Sequence, residues 1–290
     1  MGFEGKKNWF FFAAALVLML LLPTGCGGAR NQTVKVSASG SSALLPLLKA
    51  GQEDFQNMHE NITVSLSAGG SFTGQNQAAA GYVDIGSSDV QLQVSLRGKG
   101  LREHILAGIP FVFIVNRDVP VNSLTARQYA DIFSGGVSNW KEVGGRDRPV
   151  TVVGRPFSSG SRAAIADLVL RNKKFTDNQI IFDSNGAVRA AVGTTPGAIG
   201  YIDAAYVDDS VKELSFDGAK YSVENIIAGK YPIYASGRLY TRGDPKGAVK
   251  EFIDFVLGEG FQDKYVEKSG FIPIAKLKKA KQGRAQTAKN

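Results

Sequence analysis

Arg155 and the triplet Ser159-Gly160-Ser161 are the residues whose types and spacing best suit chemistry, and that chemistry is the holding of an oxyanion. Arginine offers a planar fork of charged donors, serines add hydroxyl donors, and glycine lets the backbone come close. Backbone N–H groups at a helix start are unpaired and carry the positive end of the helix dipole. Val150 to Val153 is a β-branched run that reads as a buried strand, and Ala163 to Leu170 has helical apolar spacing. The four residues therefore occupy a strand–loop–helix corner, a place suited to an anion. Taken alone, the motif reads equally well as a helix cap beside a solvated arginine.

The same device occurs twice more. A strand at Thr33 to Ser37 leads through Gly40-Ser41-Ser42 to a helical pattern from Ala43 to Met58, with Pro46 tolerable only in its first turn. A strand at Ile62 to Ser67 leads through Gly69-Gly70-Ser71 into a short helix ending near Ala80. Val83 to Ser87 is a further strand, followed by Ser88-Asp89. Ligands of open α/β sheets gather at the carboxyl ends of strands, so three such corners would converge on one anion. Asp89 alone reads as a cap on whatever follows it.

The remaining elements continue the alternation. Ile109 to Asn116 is a long apolar strand, and Thr125 with Gln128 forms a capping box for a helix through Phe133, stopped at Gly135-Gly136. Ser184 caps a helix through Val192, and Ala198 to Ile202 is a strand. Strands near Val211 to Phe216 and Arg238 to Thr241 follow, with helices near Val223 to Ala228, Lys246 to Leu257 and Gly260 to Lys268. Such alternation argues for an α/β fold with mostly parallel sheets flanked by helices. With no long linker, two lobes joined by crossing strands are expected rather than beads on a string.

Several function classes are disfavoured. The net charge is +8, but Lys276, Lys278, Lys279, Lys281, Arg284 and Lys289 supply six of those charges without an acid from 276 onward, so the body is near neutral. A basic tail reads as a solvated, disordered end, or as a contact with an anionic surface. The body has no basic stripe with interleaved aromatics, which argues against nucleic acid. The two histidines, His59 and His104, lie in unlike settings and read as surface or structural residues. Asp208-Asp209 reads as a solvated turn rather than a metal site. A Gly-x-x-x-x-Gly-Lys-Ser/Thr loop and a Gly-x-Ser-x-Gly elbow are both missing from the sequence.

Lys6-Lys7 precede an apolar run of fourteen residues, Trp9 to Leu22, too short for a comfortable membrane span and ordered like a secretory signal. Small residues then precede Cys26, the chain's one cysteine, so residues 1–25 are expected to be a signal peptide. The segment resembles a bacterial lipoprotein signal in which Cys26 is lipidated, although Pro23 stands where that pattern prefers leucine. A lone thiol is otherwise a liability in an exported protein.

From about Thr33 to Ile274 the chain resembles the phosphate-binding proteins of bacterial phosphate ABC transporters. The residues that carry the resemblance are Ser37 to Ser42, Gly70-Ser71-Phe72-Thr73-Gly74, Asp84 to Asp89, and Arg155 four residues before Ser159-Gly160-Ser161. Asp131 to Gly135 with Asn139-Trp140, Gly197 to Tyr201, Tyr231-Pro232-Ile233 and Gly270 to Pro273 add to it. The resemblance implies a type II periplasmic-binding-protein fold, two-lobed, with the ligand cleft between lobes. Lobe one would comprise 33–115 and 205–290, and lobe two 116–204. It implies anion ligands from Ser42, the Ala43 amide, Ser71 and Asp89 on one side, and Arg155, Ser159, Gly160 and Ser161 on the other. Arg162 is expected to face solvent or the other lobe.

The implied function is extracytoplasmic capture of inorganic phosphate and its delivery to an ABC permease in the inner membrane. The protein would be a monomer held to a membrane in the periplasm or at the cell surface by a lipid on Cys26. No catalysis, metal or cofactor is required. Alternatives are a binder of another oxyanion such as sulfate or molybdate, a phosphate-sensing surface protein without a transport role, and, weakest, a phosphate-ester hydrolase. Asp89 sharpens the choice: a carboxylate accepts a hydrogen bond from a phosphate O–H, whereas sulfate near neutral pH has no proton to give.

Overall fold

The computed structural model describes residues 33–287, with side chains to Ala280. The expected signal peptide and Cys26 lie outside the described residues. Among those described, no helix is long and apolar enough to cross a membrane.

The chain alternates as its apolar pattern requires. Strand β1 (Val34–Gly40) pairs in parallel with β2 (Ile62–Ala68) and β3 (Ile85–Ser88), and helices α1 (Leu45–Met58) and α2 (Ser71–Ala80) connect them. Pro46 sits in the first turn of α1, where its missing N–H costs nothing. The helix begins two residues later than expected because residues 42–44 form a turn.

Strand β4 (Leu101–Val115) is the spine, fifteen residues long. Nine of its first ten residues pair antiparallel with β10 (Tyr234–Arg242), and Leu106 bulges out of the ladder. From Phe111 its partners become β8 (Ala198–Asp203) and β9 (Lys212–Phe216). The change comes right after Pro110, which stands opposite Tyr234 and has no N–H to extend the ladder. Every residue from Leu106 to Val115 is buried, as a continuous apolar run within a doubly covered sheet should be.

The main order is β2-β1-β3-β10-β4-β8-β6-β7, with β6 at Thr151–Gly154 and β7 at Ile180–Ile181. A short β5 (Ser123–Leu124) pairs with β9. The sheet is therefore mixed: the βα units supply parallel pairs, and β10 and the second half of β4 run antiparallel to their neighbours.

Helix α3 (Ala126–Ser134) carries the expected Thr125–Gln128 capping box and ends on Gly135 in the left-handed region. Helix α4 (Gly160–Ile165) continues into a π-turn over 166–170. Ser184 caps α5 (Asn185–Thr194), and Ser222 caps α6 (Val223–Ile227). Helices α7 (Gly247–Leu257) and α8 (Glu259–Phe261) follow, with Phe252 of α7 set edge-on to Phe55 of α1 at 5.1 Å.

The basic tail departs from expectation. Ile274–Thr287 is a helix, α9, rather than a disordered end. Leu277 and Ala280 are buried, one turn apart, and Leu277 lies against Gly108 of β4. Charge counting overlooked that apolar spacing.

Candidate anion-binding site

The three sequence corners meet. After β1, Ser41 and Ser42 are buried. Ser41 Oγ donates to Asp89 Oδ1 and accepts the N–H groups of Ala43 and Leu44, both at 3.1 Å. The Ala43 amide is thus already engaged by its own loop. Ser71 opens α2 with no exposed surface, and its Oγ accepts the Asp89 N–H at 2.9 Å. Asp89 follows β3 and is 2 % exposed.

The third corner closes on these two. Ser159 is the N-cap of α4, its Oγ accepting the Arg162 N–H. Ser161 Oγ donates to Asp89 Oδ2 at 3.1 Å. Gly160 is needed for contact: a Cβ there would lie 2.1 Å from Ser71 Oγ and 3.0 Å from Asp89 Cβ. Gly70 (φ 89°) would put a Cβ 2.5 Å from the Ser158 carbonyl oxygen, and that carbonyl accepts the Phe72 N–H at 3.2 Å. All eight residues expected at the site, Ser42, Ala43, Ser71, Asp89, Arg155, Ser159, Gly160 and Ser161, therefore lie on these converging corners.

Arg155 is the charged donor. It is 1 % exposed at the end of β6. Its Nη2 donates to Ser42 Oγ at 3.2 Å and to the Asp183 carbonyl at 2.8 Å. Its Nε and Nη1 are buried without a protein partner. Unpaired buried donors on a cation are costly, and an anion has the charge and the acceptors to satisfy them. Burial draws the guanidinium down from its usual value, against the pull of Asp89. Burial likewise pushes the Asp89 carboxyl up, opposed by the Ser41 and Ser161 hydroxyls and by the charges of Arg155 and Arg238.

Chemistry beyond binding finds no support in the arrangement. His59 stacks on Phe55 at 4.4 Å and meets Glu251, while His104 bonds Thr241 at 2.9 Å, so both are structural. Asp208 bonds Ser210 and pairs with Arg189 at 2.9 Å, a surface turn. Among the described residues no cluster of three or more His, Cys, Asp or Glu is placed to hold a metal.

Residues 27–259 match the model of the PBP superfamily domain. The chain belongs to that superfamily. A superfamily relative, phosphate-binding protein PstS of Bacillus subtilis (strain 168), is 34 % identical over 94 % of this chain and 96 % of its own length. A putative phosphate ABC transporter substrate-binding protein from Clostridium perfringens, solved with bound phosphate, is 33 % identical with a TM-score of 0.79, covering 83 % of this chain and 99 % of that one. An ABC-type phosphate transport receptor from Vibrio cholerae is 28 % identical with a TM-score of 0.67, covering 82 % and 99 %. The fold is the type II periplasmic-binding-protein fold, and the superfamily's members of this kind are non-catalytic solute binders.

Several residues at the site were missed from sequence. Ser41, which was assigned no role, holds Asp89. Asn185 is fully buried and its Nδ2 donates to Ser42 Oγ at 3.3 Å. The signal for it was available: β7, then Ser184-Asn185-Gly186, then α5 is the strand–loop–helix device a fourth time. Tyr206 OH donates to the Ser42 carbonyl at 2.6 Å, and nothing in its neighbours announces this. Arg162 was placed wrongly. It is half-buried, its Nη1 donates to the Arg155 carbonyl at 3.0 Å, and its guanidinium lies over Phe175 at 4.2 Å and Phe157 at 4.8 Å. It buttresses the backbone that carries Arg155.

Proposed function

We propose that this protein captures inorganic phosphate outside the cytoplasm and delivers it to an ABC-type importer. The observation that carries this is the pairing of two groups in one buried site. Arg155 has two unpartnered N–H positions, and Asp89 is a carboxylate whose own partners are hydroxyls. A carboxylate has about four lone-pair positions, and Ser41 and Ser161 take two, leaving room to accept from a phosphate O–H. Sulfate would bring only unprotonated oxygens against Asp89, a like-charge contact with no donor. The similar proteins from Bacillus subtilis and Clostridium perfringens, both named for phosphate, support the same reading.

In this reading Ser42, Ser71, Asp89, Arg155, Ser159, Gly160 and Ser161 surround the anion, and the Ala43 amide contributes once Ser41 yields it. Lobe one comprises 33–115 and 205–290, lobe two 116–204, and closure of the cleft removes water from the ligand. The protein works as a monomer, requires no cofactor, docks on the permease in the inner membrane, and is tethered through a lipid on Cys26. The test is calorimetric titration of stripped protein with phosphate and then sulfate at about pH 7, alongside Asp89→Asn. Tight one-to-one phosphate binding without sulfate heat is expected, with discrimination lost in the variant. Sulfate binding by the unaltered protein would make it a general oxyanion binder. Full discrimination in Asp89→Asn would end the proton-reading role of Asp89.

A further inference from the structure

A second carboxyl group lies beside the site and has no place in the scheme above. Asp203 ends β8, opposite Phe111, at the point where β4 has just changed partners. It has no exposed surface. Its Oδ1 accepts the Ala205 N–H at 2.8 Å, and its Oδ2 is buried with no partner. Its backbone N–H donates to Asn185 Oδ1 at 3.1 Å, and Asn185 Nδ2 in turn donates to Ser42 Oγ, the hydroxyl that also takes Arg155 Nη2. Asp203 is therefore two hydrogen bonds from the anion loop.

Its surroundings differ from those of Asp89. Asp89 has two hydroxyl donors and the fields of two arginines, which favour its charge. Asp203 has one backbone donor, and no basic side chain bonds to it among the described residues. The titratable groups that face it are Asp89 from the loop after β3, Tyr206 on the turn after β8, and Tyr221 before α6. None supplies positive charge. Two nearby carboxyls in such unlike settings hold their protons unequally: ionisation is easier at Asp89 than at Asp203. An arriving anion adds negative charge to the same cluster, which makes ionised Asp203 costlier still.

We propose that Asp203 is a second proton-bearing residue, buried beside the anion site, and that the protein holds its anion only while Asp203 keeps that proton. The inference rests on the phosphate reading above. Burial and the nearby Asp89 charge both push the Asp203 carboxyl well above the ordinary carboxylate range, in agreement. Tyr206, pushed up to about 12, and Tyr221, pushed up as well, bring no charge of their own to the cluster between about pH 7 and 10.

The experiment is phosphate titration of the protein and of Asp203→Asn between about pH 7 and 10. The amide keeps an acceptor for Ala205 and cannot ionise. Comparing the two proteins cancels the ionisation of phosphate and of every other shared group. The expected result is a progressive alkaline loss of affinity in the unaltered protein, approaching about tenfold per pH unit, which Asp203→Asn lacks whatever the ratio of the two affinities near pH 7. Should the variant fail to fold, the unaltered protein decides. Titrations in two buffers of unlike ionisation enthalpy should show uptake of up to about one proton per phosphate on the alkaline side. Parallel profiles in the two proteins, or no proton uptake there, would overturn the role of Asp203 alone. Absence of phosphate binding at any pH would overturn the phosphate reading and this proposal with it.

Discussion

Gly160→Ala tests whether the corners meet as described. Gly160 opens α4 and is buried against the α2 corner. An added Cβ would lie 2.1 Å from Ser71 Oγ, 2.7 Å from Ser71 Cβ and 3.0 Å from Asp89 Cβ. Rotating the Ser71 hydroxyl away does not relieve this, because two carbon atoms remain inside ordinary contact distance. It would also remove the acceptor of the Asp89 N–H. The backbone of one corner must therefore withdraw by about an ångström. That withdrawal breaks the Ser161–Asp89 bond across the site and displaces the donors from an anion held by Arg155. Hydrogen bonds to charged groups contribute about 1.5–3 kcal/mol each. Loss of one or two amounts to about 3 kcal/mol, or about a hundredfold rise in Kd for phosphate. The strain is released by separating two corners and opens no core cavity, so the anion-free variant should stay folded, with a melting temperature lowered by the lost Ser161–Asp89 bond. Calorimetry and thermal melts of stripped protein give both numbers. Binding within about threefold of the parent would mean that α4 and α2 do not close on each other around the ligand.

Arg155→Lys keeps a charge but loses the planar fork, so Ser42, Asp183 and an anion cannot all be served, and titration should show phosphate affinity lower by about two orders of magnitude. Trp140→Phe removes the indole N–H bond to the Gly197 carbonyl, 2.8 Å long in a side chain 1 % exposed. Denaturant unfolding should show a loss of about 1–2 kcal/mol, with affinity unchanged because the site is elsewhere. The pH dependence of stability follows from Asp203, whose folded-state pKa is raised by burial above its unfolded value. The neutral acid's contribution is fully present below the unfolded pKa, about 3.9, and is lost as pH rises through the folded value. The melting temperature of stripped Asp203→Asn should therefore gain on that of the parent as pH increases above about 4, and a constant difference would contradict the shift.

The corners were legible because their chemistry is local. Gly40 to Ser42, Gly69 to Ser71 and Ser159 to Ser161 each follow a β-branched or apolar run and precede a helical one, and the structure brings them together. What could not be read depends on pairing between distant segments. Residues Leu101 to Ile105 look too polar for a strand, since Arg102, Glu103 and His104 interrupt the pattern. They become strand because β10 supplies partners: Arg238 pairs with Glu103 at 2.8 Å, Tyr240 donates to the same carboxylate, and Thr241 bonds His104. In sequence Asp203 merely follows the apolar strand Ala198 to Ile202. Its burial arises from Asn185, Tyr206 and the site loop folding over it, which no window of sequence around it contains. The basic tail misled for a related reason. Its charges are evident one by one, whereas Leu277 and Ala280 matter only once β4 offers them a surface.

The position of β10 has a consequence for how the chain comes to be folded at all. It is made after some two hundred of the described residues, yet it lies between β3 and β4, the last strand of the opening βα units and the spine. Before it arrives, β3 and the first ten residues of β4 each present an unpaired edge. Contacts such as Leu239 with Ser87 join segments far apart in sequence, and rungs of that kind form late because the intervening chain must first be ordered. The opening segment thus has no finished form to settle into while the ribosome is still working. The strand that completes the sheet is also the one whose arrival lets the opening segment settle.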